Sequence, residues 1–147
     1  MSRRNRFVEK ARKEMLTNKP DHEKAFDWLM RAAEQNDAEA LYAIATWYLH
    51  GEYVRKNRKT AVQYLLRAIE GNYPSAYYDL AICYEKGAGI EKDPIAAFKC
   101  YLQAALLGDK QSLYEVGRCY YWGLGIARDP ELANIWRTHA RLNGIVD

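Results

Sequence analysis

Apolar residues recur at helical spacing along the chain, and the whole arrangement repeats every 36 residues. Under that shift Ala40, Ala76 and Ser112 coincide, as do Ile44, Leu80 and Val116, and then Tyr48, Tyr84 and Tyr120. The three sets fall at i, i+4 and i+8, a single stripe, which predicts A helices over about 38–50, 74–86 and 110–122. A second helix, B, recurs four times, starting near Ala25, Ala61, Ala97 and Ala133. Each copy carries another alanine two turns on (Ala32, Ala68, Ala104, Ala140), small enough to let a neighbouring helix approach closely. Each B helix is followed by Asn36, Asn72, Gly108 or Gly144, the two residue types that most readily take the left-handed conformation closing a helix. A fixed period of this length is the signature of stacked helical hairpins, a solenoid in which each repeat buries its face on the next.

The connecting loops read GEYVRKN, GAGIEKDP and GLGIARDP. Asn57, Asp93 and Asp129 are predicted N-caps, with Pro94 and Pro130 in the first turn that follows. The first loop has Tyr53 where the others have Gly89 and Gly125, which predicts a different path there; Arg55, Lys56, Arg58 and Lys59 make that loop basic. Ahead of the array, residues 5–18 place Phe7, Ala11, Met15 and Leu16 at helical spacing, an N-terminal capping helix stopped by Pro20, with Asp21 capping the next. The expected organisation is a basic capping helix over 1–20 and a repeat array over 21–147. Its copies span 38–73, 74–109 and 110–145, with a degenerate copy before 38. On the B helices a second face is apolar at Phe26, Met30 and Ala33, at Val62, Leu66 and Ile69, and at Phe98, Leu102 and Ala105. The last copy reads Asn134, Thr138 and Arg141, so the final helix is expected to be a polar cap that completes the stack and favours a monomer.

Composition narrows the function classes. Of the 147 residues, 49% are hydrophobic and 28% charged, which suits a folded chain, and no apolar run approaches the ~20 residues of a membrane span. The arginines at the N-terminus have no apolar segment behind them, so no secretory signal is read. Cys83, Cys100 and Cys119 lack metal or redox spacing. Cys83 and Cys119 share the slot of Trp47, which reads as buried packing in a reducing cytoplasm. His22, His50 and His139 form no ligand pattern, the glycine pairs lack a phosphate-loop context, and carboxylates recur in no paired arrangement. No catalytic residue, cofactor or metal is therefore expected. Residues 1–24 carry eight Lys/Arg against four Asp/Glu, while the remainder carry 14 against 15. That basic head, with Arg3, Arg4, Arg6 and Lys10, leaves an alternative reading as a nucleic-acid- or membrane-associated factor, but a solvated helix face is the preferred explanation.

Ala76, Leu80, Ala81, Tyr84, Gly87, Gly89, Ile90, Asp93, Ala97, Ala104, Ala105 and Gly108 together resemble the Sel1-like repeat, a relative of the tetratricopeptide repeat. The resemblance covers 22–144 and implies an all-α, right-handed α-solenoid of antiparallel helix-turn-helix repeats. It also implies a concave surface, lined by the A helices, that binds another protein. Family members serve as adaptors in quality control and in bacterial signalling, and some small bacterial members resemble immunity proteins of toxins. Once the packing stripe is set aside, the A-helix positions left for such a surface are Tyr42, Thr46 and Leu49, then Tyr78, Ile82 and Glu85, then Tyr114, Arg118 and Tyr121. Tyr42, Tyr78 and Tyr114 have a second reading, as packing aromatics. Trp122 stands where His50 and Lys86 stand, and with Tyr121 and Arg118 it makes the Trp/Tyr/Arg mixture of binding hot spots. A cover for the last hairpin's open end is the competing role for Trp122.

Overall fold

The computed structural model describes residues 3–145; Met1 and Ser2 of the basic head, and Val146 and Asp147 at the end of the expected array, lie outside the described residues. Eight α-helices make up the described chain: α1 (Arg6–Met15), α2 (His22–Glu34), α3 (Ala38–His50), α4 (Arg58–Glu70), α5 (Pro74–Lys86), α6 (Pro94–Leu106), α7 (Lys110–Trp122) and α8 (Pro130–Leu142). They fall into two compact units, residues 1–73 and residues 74–147. In the first, α1 packs on α2, α2 on α3 and α3 on α4. In the second, α5 packs on α6, α6 on α7 and α7 on α8.

Local chemistry fixes the helix ends. Asp21, Asn57, Asp93 and Asp129 accept from the backbone N–H three residues on, at 3.0–3.1 Å, as the loop sequences predict. Asp37 and Asp109 cap α3 and α7 in the same way. Asn36, Asn72, Gly108 and Gly144 all have positive φ, at 57°, 55°, 100° and 84°. The alanine pairs of the B helices are essentially sealed from solvent, none above 2% exposed, as close helix approach requires. Ser112, in an alanine slot, is fully buried and donates to the capping carboxylate of Asp109.

Two expectations change, and α8 carries a feature the repeat pattern did not include. Tyr53 does not send the first loop along a different path: its φ is 61°, beside 76° at Gly89 and 73° at Gly125. A left-handed tyrosine is strained, but its ring lies 5.6 Å from that of Phe26 and 6.0 Å from that of Trp47, and this packing offsets the strain. In α1 the sealed residues are Val8 and Ala11, with Phe7 stacked on Trp28 at 5.6 Å. Leu16 is 80% exposed, because α1 ends at Met15 and leaves Leu16 as the C-cap. On α8 the structure adds an apolar patch to the polar cap that the repeat predicts. Its Asn134, Thr138 and Arg141 face is polar, but Ile135 and Leu142 are 62% and 80% exposed on another face. With Leu106 and Trp136 they line a hollow of about 440 Å³. The slots of Ile135 and Leu142 hold Asp27 and Glu34 in the first copy, and a face that changes in this way is invisible to a pattern built on the packing stripe.

Candidate interaction site

The predicted surface residues divide between the two units. In the first, Tyr42 sets its ring 5.1 Å from Tyr73, Thr46 donates its hydroxyl to the Ala43 carbonyl at 2.7 Å, and Leu49 is half-buried. Tyr42 thus makes a ring contact within its own unit, and the Thr46 hydroxyl is satisfied on its own helix.

In the second unit the predicted residues of α5 and α7 come together. Tyr78, Ile82, Glu85 and Arg118 line a hollow of about 390 Å³. Arg118 also borders a second hollow, of about 290 Å³, with Tyr114, Tyr121, Trp122 and Arg137. Beneath both lies a charged network that the sequence did not announce. Arg118 donates from Nη2 to both carboxylate oxygens of Glu85 at 2.7 Å and from Nε to Glu115 at 2.7 Å. Tyr101, buried in α6, donates its hydroxyl to Glu85 at 3.0 Å and meets the Tyr78 ring edge-on at 5.9 Å. Burial, followed by the charges of Glu85 and Glu115, pushes the Tyr101 phenol well above its ordinary range. For Arg118 burial opposes the charge, but the hydrogen bonds to Glu85 and Glu115 more than offset it and hold the guanidinium firmly protonated. Glu85 and Arg118 are thus positioned by one another, and they form a floor rather than a free pair of contacts.

The outer residues are different. Trp122 is 66% exposed and meets Tyr121 edge-on at 4.8 Å, so it does not seal a hairpin end. Arg137 and Arg128 place their guanidinium carbons 5.6 and 5.9 Å from the Tyr121 ring centre, and Arg128 Nε donates to the Tyr121 carbonyl at 2.9 Å. Sequence reasoning missed Tyr101, Glu115, Arg128 and Arg137. A signal for two of them was present: the slot shared by Leu29, Leu65, Tyr101 and Arg137 turns from aliphatic to polar along the array. Arg137 fits because Gly117 stands where Ala45 and Ala81 stand; a Cβ there would come within 2.7 Å of Arg137 Cγ.

At the N-terminal helix, Arg4 pairs with Glu9 and Glu39 at 3.0 Å, and Arg12 reaches Glu39 at 4.0 Å. Lys10 and Arg6 lie over Trp28 and Phe7, at 4.4 and 4.8 Å. Much of the basic head is therefore committed to intramolecular partners. Among the described residues no helix is long and apolar enough to cross a membrane, and no group of three His, Cys, Asp or Glu is placed to hold a metal ion. Cys83, Cys100 and Cys119 are free and buried, and burial pushes the thiols of Cys100 and Cys119 up to about 11.

Comparison with known proteins places these features in a family. The Sel1 repeat matches four times, at residues 19–37, 38–73, 74–109 and 110–136. A protective antigen of uropathogenic Escherichia coli displaying an SLR fold is similar at 29% identity and TM-score 0.91, over 95% of this chain and 30% of that one. A Sel1 repeat protein of Oxalobacter formigenes is similar at 28% identity and TM-score 0.82, over 86% of this chain and 52% of that one. Cysteine-rich protein B of Helicobacter pylori is similar at 25% identity and TM-score 0.66, over 88% of this chain and 93% of that one. The chain thus spans under a third of the length of the first of these and about half of the second. Comparison with curated proteins by sequence finds no match. With four matches over most of its length and helical hairpins at the same boundaries, the chain belongs to the Sel1 repeat family, an all-α solenoid class whose repeats mediate protein–protein interaction and are typically non-catalytic.

Proposed function

We propose that this chain is a non-catalytic protein-binding module, an adaptor, scaffold or sequestering partner of the immunity-protein kind, working in the cytoplasm. It engages its partner through the α5–α7 face of the second unit, at Tyr78, Ile82, Tyr114, Tyr121 and Trp122, with Glu85 and Arg118 as the rigid floor. The observation that carries this reading is Trp122. A tryptophan two-thirds exposed, set edge-on against Tyr121 beside a half-buried arginine, has the composition of a binding hot spot and lies outside the core of its unit. Its slot holds His50 and Lys86 in the other copies, so the repeat does not require an aromatic there. The buried free thiols support a reducing compartment.

The test is affinity capture from lysate of the source organism, with wild type beside a Tyr121→Ala/Trp122→Ala variant of unchanged helicity, followed by rebinding of the purified captured protein. A protein bound directly by wild type, and at least tenfold more weakly by the variant, supports the reading. Equal binding to both removes this face from the function.

A further inference from the structure

We infer that the loop between α3 and α4, with Arg55, Lys56, Arg58 and Lys59, docks an acidic segment of a partner protein, about three or four Asp or Glu side chains within roughly five residues of extended chain. This surface belongs to the first unit and shares no residue with the α5–α7 face, so it is a second point of contact with its own chemistry.

The repeat supplies an internal control. The same backbone recurs in all three copies of the loop. Asn57 N–H donates to the Tyr48 carbonyl at 2.9 Å, Asp93 N–H to Tyr84 at 2.9 Å and Asp129 N–H to Tyr120 at 2.8 Å. The φ and ψ of these three caps are −152° and 99°, −149° and 93°, and −146° and 94°. On that shared frame the charge inverts. Residues 51–59 carry four Lys/Arg against one Asp/Glu, whereas 87–95 and 123–131 each carry one against two. Arg55 stands where Glu91 and Ala127 stand, Asn57 replaces Asp93 and Asp129, Arg58 replaces Pro94 and Pro130, and Lys59 replaces Ile95 and Glu131. From position 55 to 59, every change of charge is toward positive.

None of these replacements helps the fold. A carboxylate cap and a proline at the first helical position favour a helix start, whereas cations there oppose the macrodipole and repel one another. No acidic residue stands in the first turn of α4 to offset them. All four cationic side chains are exposed, and none makes a hydrogen bond or an ion pair among the described residues. Arg4 and Arg118, by contrast, are held by acids of their own unit. Unpaired cations concentrated on a frame that elsewhere carries net acid are complementary to an anion, which would relieve their mutual repulsion.

The patch is also short and bounded. Four residues of chain separate Arg55 from Lys59, a span of at most about 14 Å. At the start of the loop Glu52 lies 3.6 Å from His22. Burial, followed by the charges of Glu23, Asp27 and Asp21, raises the Tyr53 phenol, so acids flank the aromatic that precedes the cations. A nucleic-acid strand or an anionic bilayer spreads its charge well beyond such a patch and would meet those acids; a short acidic peptide segment covers the cations alone.

The test selects twelve-residue peptides from a phage-displayed random library on the full chain, then titrates labelled winners by fluorescence polarisation at rising salt. A graft variant, Arg55→Glu/Asn57→Asp/Arg58→Pro/Lys59→Ile, gives this loop the residues found at 91–95. Its urea midpoint should equal or exceed that of wild type. The expected winners hold about three acids in five residues, bind wild type more weakly as salt is added, and bind the graft at least tenfold more weakly. Arg58→Lys/Lys59→Arg, which keeps the charges, and Tyr121→Ala/Trp122→Ala, which leaves the loop intact, should both bind within twofold of wild type. An empty selection, winners without acids, or equal binding to the graft overturns the inference. So does a graft less stable than wild type, since the cations would then serve the fold. Acidic winners lost by Tyr121→Ala/Trp122→Ala and kept by the graft belong to the α5–α7 face, which overturns this surface and leaves the earlier reading standing. Tighter, graft-sensitive binding of a labelled oligouridylate or of phosphatidylserine vesicles overturns the peptide assignment.

Discussion

Replacing Glu85 by glutamine tests whether the floor of the proposed interaction site is held by charge. The side chain keeps its shape and loses one carboxylate oxygen to an amide NH₂. In the native structure both oxygens accept from Arg118 at 2.7 Å, and one also accepts from the Tyr101 hydroxyl at 3.0 Å. Tyrosine can adapt, because its hydroxyl can turn to accept from the new amide. Arginine cannot, having only donors, so Arg118 keeps one of its two bonds to residue 85 and faces an N–H where it had an acceptor. Hydrogen bonds to charged groups are worth about 1.5–3 kcal/mol, but both side chains are more than a quarter exposed and Glu115 still holds Arg118, so the expected loss is about 1–2 kcal/mol. Urea unfolding followed by far-ultraviolet circular dichroism measures it, with Arg118→Met and the double variant closing a cycle. A coupling of about 1 kcal/mol between positions 85 and 118 is expected. If Glu85→Gln matches wild type within 0.3 kcal/mol, or the coupling vanishes, the network is an ordinary surface ion pair and cannot be what positions this face.

Other substitutions probe the fold around the site. Gly125→Ala places a Cβ 2.0 Å from the Pro94 carbonyl oxygen at φ 73°, so unfolding free energy should fall by about 2–4 kcal/mol in urea titration. Tyr53→Gly, at the matching slot of the first loop, should be nearly neutral, because relief of backbone strain opposes the loss of contacts to Phe26 and Trp47. Val8→Ala should cost about 2 kcal/mol by the same assay, whereas Leu16→Ser should leave stability unchanged, the reverse of a stripe running through Leu16. Burial raises the thiols of Cys100 and Cys119 from 9.0 to about 11. Their contribution to stability is therefore intact below pH 9 and lost as pH rises toward 11. The melting temperature should fall across that window, less steeply in a Cys100→Ala/Cys119→Ala variant.

Much of this protein is written in short-range rules. Helix boundaries follow from caps and closing residues a few positions apart, such as Asp93 with Pro94 and Gly108, and the alanine pairs announce where helices meet. Because the repeat shows each rule several times, the fold class was legible, and so were the A-helix residues Tyr78, Ile82, Glu85 and Arg118 that line one hollow of the second unit. What the sequence alone could not decide were the contacts made across it. The left-handed turn at Tyr53 depends on rings from two other helices, which no loop pattern contains. Glu85 and Arg118 stood out as polar departures, but that they hold each other across 33 residues, with Tyr101 beneath, follows from how α5, α6 and α7 pack. Arg137 joins Trp122 only because α8 lies close enough over Gly117. Periodicity fixes which way a residue points from its own helix; packing decides which residue from another helix it meets, and on that choice the charge and chemistry of the proposed interaction site depend.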